Sequence, residues 1–136
     1  MTGIPAFPAP WPWDKSYPAG LSPRVELPTW PLGSIVDRAA DHFAERDAIV
    51  FRGACWTYAE LKARVDEAAA AFLRAGLGKG ARIALFLPNT LYHPVAFFGA
   101  MKAGATVVHL SPLDSPRVIQ HKLNDSGART IVTTNI

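Results

Sequence analysis

Cysteine is almost missing from this sequence: Cys55 stands alone, so no internal disulfide can form and the fold must be held by packing. Charge is sparse too, at 18%, with lysine and arginine interleaved with aspartate and glutamate along the chain. The net charge of +3 therefore gathers into no basic stripe, which excludes nucleic acid as an expected partner. No uninterrupted apolar run reaches the roughly 18–20 residues of a membrane span, because the most apolar segment, bracketed by Arg82 and Lys102, breaks at Pro88-Asn89. The opening MTGIPAFPAP has no basic region and no apolar core of signal length. The cytoplasm is the expected compartment.

What is present is apolar bulk, 49% of 136 residues, enough for one domain that buries about two-thirds of its unfolded-state surface. The organising stretch is ARIALFLPNTLYHPVAFFGAMKAGATVVHLSP, from Ala81 to Pro112. Its two short apolar runs, Ile83 to Leu87 and Thr106 to Leu110, lack apolar/polar alternation and so predict strands buried on both faces. The intervening apolar segment supplies the crossover helix that a parallel pair requires. The result is a β-α-β unit.

Ahead of it, the first 31 residues hold eight of the twelve prolines: Pro5, Pro8, Pro10, Pro12, Pro18, Pro23, Pro28 and Pro31. Proline fixes φ and removes a donor, which predicts an extended arm over residues 1–33. Trp11, Trp13, Tyr17 and Trp30 would pin it to its own domain; PAPWPW lacks the clean PxxP with a basic flank that a proline-recognition ligand needs. An α/β domain should then occupy residues 34–136. Ser34 and Asp37 predict a weak capping box, with Ile35, Val36, Ala39, Ala40 and Phe43 on one apolar face and Asp37 and His42 on the solvated side. His42 has no second ligand at metal-binding spacing.

AIVFRGACWTY predicts a hairpin turning at Arg52-Gly53, with Cys55 as a packed or half-exposed thiol rather than a nucleophile. Thr57 and Glu60 form a reciprocal capping box, and Trp56 and Leu61 are spaced as a hydrophobic staple. Leu61, Val65, Ala68, Ala69, Phe72 and Leu73 trace the face of a helix that Gly76 ends. The glycines of GLGKG follow that helix and precede a strand, the wrong order for a phosphate cradle, so Lys79 is read as a solvated charge.

In the central unit Asn89 or Thr90 can cap the helix, Pro94 belongs in its first turn, Gly99 allows close approach to the sheet and Gly104 ends it. His93 and His109 fall at the strand-to-helix edges where ligands of open α/β sheets gather. Neither has a carboxylate or hydroxyl partner at readable spacing, and a capping or packing role is the preferred reading of both. Ser115 and Pro116 start a further helix with Val118, Ile119 and Leu123 facing inward, Gly127 ends it, and Thr130 to Thr134 reads as a third parallel strand. The expected class is a doubly wound, Rossmann- or flavodoxin-like parallel sheet, with a last strand that lacks a neighbour and could self-associate.

Four blocks in this order, TYAEL, GLGKGARIALFLPN, FFGAMKAGATVVHLSP and LNDSGARTIVTT, resemble the N-terminal segment of the adenylate-forming acyl-CoA synthetases. SPLDSPRVIQHKLNDSGA is most similar to bacterial medium- and long-chain fatty-acid ligases, with dicarboxylate ligases as near neighbours. The resemblance implies a parent enzyme that activates a fatty acid with ATP and Mg²⁺ to an acyl-adenylate and passes the acyl group to coenzyme A. It also implies an arm that in some relatives joins a dimer interface, and peripheral attachment to the inner membrane is among the expectations for the parent. The family's phosphate loop, adenine segment, ribose-binding aspartate and hinge lie downstream of Ile136, so no catalytic, cofactor-binding or metal-binding residue is carried over. This chain alone is expected to bind no cofactor and to be inactive. An aryl-CoA ligase, a carrier-protein-loading domain and a non-catalytic α/β interaction module are the alternatives.

Overall fold

The structure is a computed structural model that describes residues 11–21 and 27–134. Pro5, Pro8, Pro10 and Pro23 of the arm lie outside the described residues. Within the arm, Trp11 and Trp13 stack on each other, with centroids 4.7 Å apart and planes 10° from parallel. Trp13, Tyr17 and Leu21 remain exposed. Docking is clearest later, at the 3-10 turn Leu32–Ser34, where buried Gly33 lies so close to Lys102 that an added Cβ would meet its backbone at 2.9 Å. Trp30 takes the Arg38 guanidinium over its ring at 4.8 Å.

Four helices and five strands follow: α1 (Ile35–Phe43), β1 (Asp47–Phe51), β2 (Ala54–Thr57), α2 (Tyr58–Arg74), β3 (Arg82–Phe86), α3 (Tyr92–Lys102), β4 (Thr106–Leu110), α4 (Pro116–Ser126) and β5 (Thr130–Thr133). β1 and β2 form the antiparallel hairpin, turning through Arg52 (φ 49°) and Gly53 (φ 81°), the left-handed pair a two-residue turn demands. β3, β4 and β5 form a parallel sheet in the order β4-β3-β5. The chain leaves β3 toward one edge and returns across it to the other. With right-handed crossovers, α3 and α4 then cover opposite faces.

β3 is the axis of the core, since Ile83, Ala84 and Leu85 are fully buried. Side chains alternate along a strand, so Ile83, Leu85 and Leu87 share one face, where they meet Ala96, Ala100 and Ala105. α3 turns Val95 and Phe98 the other way, into a second cluster with Val36, Leu61 and Val65 of α1 and α2. A helix apolar on nearly all sides is thus wedged between sheet and helix layer. Close packing there depends on Gly99, where an added Cβ would lie 2.7 Å from that of Ala68.

Local signals fixed several ends. Thr57 accepts from the Glu60 amide and its own amide donates to Glu60 at 2.9 Å, completing the capping box. Ser115 caps α4 with Pro116 in its first turn, and Gly76, Gly104 and Gly127 take positive φ at the ends of α2, α3 and α4.

Other expectations need correction. Ser34 does not cap α1; its hydroxyl donates to the Pro31 carbonyl at 2.7 Å, which closes the preceding turn instead. Asp37 is ion-paired rather than merely solvated, and Phe43 is exposed beside Tyr58 and Arg46. Leu73 is exposed because the α2 face turns off the core in its last turn. Neither Asn89 nor Thr90 caps α3, which starts from Leu91 without a side-chain cap. Gly99 approaches α2, not the sheet. Cys55 is exposed. None of the described α4 residues is buried, so its inward face is only shallowly covered.

Candidate functional site

The C-terminal ends of β3 and β4 carry the most chemically varied cluster. The parallel register sets His109 opposite Leu85, at the last turn of the β4 ladder, on the face that α3 covers. His93 comes from the first turn of α3. Their rings lie 5.4 Å apart and 15° from parallel, and the Phe97 ring continues the stack at 5.5 Å from His109. The two histidines, remote in sequence, therefore partner each other. Burial, and then the neighbouring His93, push the His109 imidazole below its ordinary range, toward the neutral form.

The pair lines a cavity of about 490 Å³ together with Asn89, Leu110, Ser111 and Lys122. The far wall is held by Asp114, which accepts from the Ser111 amide at 2.9 Å and from Lys122 Nζ at 2.6 Å. The Lys122 contact, and then the Ser111 amide, keep the Asp114 carboxyl below the usual range. Ser111 Oγ accepts from the Leu113 amide at 3.1 Å. Two buried atoms, Thr90 Oγ1 and His93 Nδ1, have no hydrogen-bond partner among the described residues.

This arrangement can hold and orient a ligand, but it contains no nucleophile-base pair: Ser111 is engaged by backbone, and the two imidazoles face one another. Among the described residues no three His, Cys, Asp or Glu side chains group as metal ligands. A nucleotide phosphate does not fit either. The loop from β3 to α3 has no glycine, Pro94 removes one first-turn amide, and the His93 amide already donates to the Thr90 carbonyl at 3.2 Å. The Gly76 to Gly80 bend follows α2 and leads into β3, with Lys79 exposed and no helix N-terminus facing it. His42 is exposed on α1, edge-on to Phe43.

A second polar cluster had only a partial signal in the sequence. Lys102 at the end of α3 donates to Asp37 of α1 at 2.5 Å and to Asp66 of α2, while Lys62 reaches Asp66 at 2.6 Å. The spacing of Lys62 and Asp66 is readable as a helical pair, but nothing local announces Lys102. The cluster ties three helices together. No helix of the described residues is long and apolar enough to cross a membrane.

The parallel sheet, its crossing helices and a cavity at the strand ends define a doubly wound α/β protein of the kind that binds ligands at that edge. Residues 36–136 match the model of the family described as AMP-binding enzyme, and the chain belongs to that family. It is 41% identical over 123 residues to the long-chain-fatty-acid–CoA ligase of Salmonella typhimurium, covering 88% of this chain. It is 30% identical over 125 residues to the Bacillus subtilis ligase of the same name, covering 92%. In each case the match spans 22% of the relative's length. Among solved structures, the Klebsiella oxytoca NpsA N-terminal subdomain superposes with a TM-score of 0.74 at 25% identity, over 78% of this chain and 28% of that one. The Mycobacterium tuberculosis fatty acyl CoA synthetase does so with 0.72 at 27% identity, over 76% and 21%.

Proposed function

We propose that this chain is the N-terminal scaffold of a fatty-acid–CoA ligase acting on long-chain acids. The reaction is fatty acid, ATP and coenzyme A to acyl-CoA, AMP and pyrophosphate, through an acyl-adenylate, with Mg²⁺ accompanying the nucleotide. The observation that carries this reading is the 41% identity to a long-chain-fatty-acid–CoA ligase across nearly the whole chain. In this reading residues 34–136 contribute sheet and covering helices, residues 1–33 form an arm available to a second subunit or a membrane surface, and the reacting groups come from elsewhere in the enzyme.

Two measurements test it. The 136-residue chain by itself should give no fatty-acid-dependent ATP–pyrophosphate exchange. A chimaera in which it replaces the matching segment of the Salmonella typhimurium ligase should still form long-chain acyl-CoA. A folded chimaera that makes no acyl-CoA would overturn the assignment, and robust exchange by the chain alone would overturn the scaffold role.

A further inference from the structure

The His93–His109 stack joins two elements that nothing else at that edge ties together by a side-chain hydrogen bond among the described residues. His93 stands in the first turn of α3, a turn with no side-chain cap, and His109 stands at the end of β4. Phe97 backs the His109 ring, so the three rings form a short ladder, of which His93 and His109 line the 490 Å³ cavity. We propose that this ladder is an acid-operated latch: the neutral rings pin the first turn of α3 to the end of β4, and protonation of the ladder parts the two imidazoles and loosens that contact locally, beside the cavity, while the buried layer behind it stays closed.

The physical basis is that a neutral imidazole face packs well against another ring at 5.4 Å, whereas a charge added to the exposed His109 ring favours water over that packing. Among the described residues that line the cavity there is no carboxylate to offset such a charge. Lys122 is the other titratable side chain that lines the cavity, it is itself cationic, and Asp114 is committed to it at 2.6 Å. On the hairpin side His93 meets a cavity lined by Ile49, Val50, Phe51, Asn89, Thr90 and Pro94, none of them charged. His93 Nδ1 is buried and has no hydrogen-bond partner among the described residues. The direction found for His109, toward the neutral form, agrees with the geometry. This inference stands independently of the ligase assignment.

The test is NMR on the whole chain between pH 8 and pH 5, with His109→Phe as a variant that keeps a ring but carries no proton and His93→Asn as one that removes the partner. In the unsubstituted chain, ring-to-ring NOEs between His93 and His109 should be present at pH 8 and absent at pH 5, with amide exchange at Ser111 and Leu113 at least tenfold faster than base-catalysed scaling predicts. His109→Phe should abolish that extra acid response, and His93→Asn should raise the midpoint at which His109 titrates. NOEs that persist at pH 5, or a His109 midpoint unmoved by His93→Asn, would overturn the latch. If the chain melts as a whole by pH 5, survival of His109→Phe under the same conditions supports the latch, and equal melting of the two overturns it.

Discussion

On the α3 face of the sheet, Ile83, Leu85 and Leu87 meet small helix side chains and are sealed behind a second layer from α1 and α2. On the α4 face, Ala84 and Leu110 are buried, but Ile131, which pairs in register with Ala84, is 48% exposed, and α4 contributes no buried residue. Both faces come from the same strands with the same apolar composition. The difference lies in cover: α4 packs along β4, and β5 lies on the far side of β3. Stability should therefore concentrate in the layer between β3 and α2, while the β5 edge and α4 open more readily.

The sharpest way to break this contrast is a pair of truncations. Leu85→Ala removes a fully buried side chain from a site walled on all sides and should cost about 2–5 kcal/mol, whereas Ile131→Ala should cost about 1 kcal/mol or less. Denaturant unfolding of the two variants decides it. Equal losses would mean that the α4 face is as well packed as the other. Next in size is Gly99→Ala. Its new Cβ would fall 2.7 Å from Ala68 Cβ, a contact between two helices rather than with a flexible tip, so overpacking should cost about 1–3 kcal/mol. The compensating double variant Gly99→Ala with Ala68→Gly should recover part of that loss, and failure to recover any would place the strain elsewhere.

These effects mark how far the sequence could be read. The β-α rhythm was legible because apolar runs, the Thr57-Glu60 box, the Ser115-Pro116 start and the terminating glycines act over a few residues. Three features were not legible, each for the same physical reason. The partner of Gly99, the shallow seat of α4 and the contact between His93 and His109 depend on how elements lie across one another, and spacing along the chain does not encode that. Ser34 shows the converse limit: the cap pattern was present, but Pro31 offered its hydroxyl a nearer acceptor. Absence of a local partner in the sequence was therefore a poor guide to isolation in space, as Lys102 also demonstrates.

The two well-formed N-caps sharpen the same contrast at smaller scale. Thr57→Ala removes the acceptor for the Glu60 amide at the start of α2, within the sealed layer, and should lower global stability by about 1 kcal/mol. Ser115→Ala removes the equivalent bond at the start of α4. Because α4 opens locally in this picture, its loss should appear mainly as faster amide exchange within residues 116–126, with a smaller change in the global transition. Equal global losses would argue that α4 unfolds only with the rest.

The smallest expected effect is electrostatic, and its sign follows from the Lys102 cluster. Burial alone would raise the Asp66 carboxyl, but contacts from Lys102 and Lys62 outweigh it and hold the group below its ordinary value. An unfolded aspartate titrates near about 3.9, so the stabilisation is fully present above that pH and is lost as pH falls through the lower folded value. Asp66 is 38% exposed, which screens the pairing and limits its worth to about 1 kcal/mol or less. Asp66→Asn should accordingly be slightly less stable than the parent at pH 6 and converge with it below pH 4, followed by urea unfolding across that range. If the gap stays constant with pH, α1, α2 and α3 are joined by packing at this point and the charges contribute nothing measurable. If it closes as expected, the sealed side of the molecule owes part of its advantage to a charge cluster that joins three helices, whereas Lys122 and Asp114 join only α4 to the turn before it.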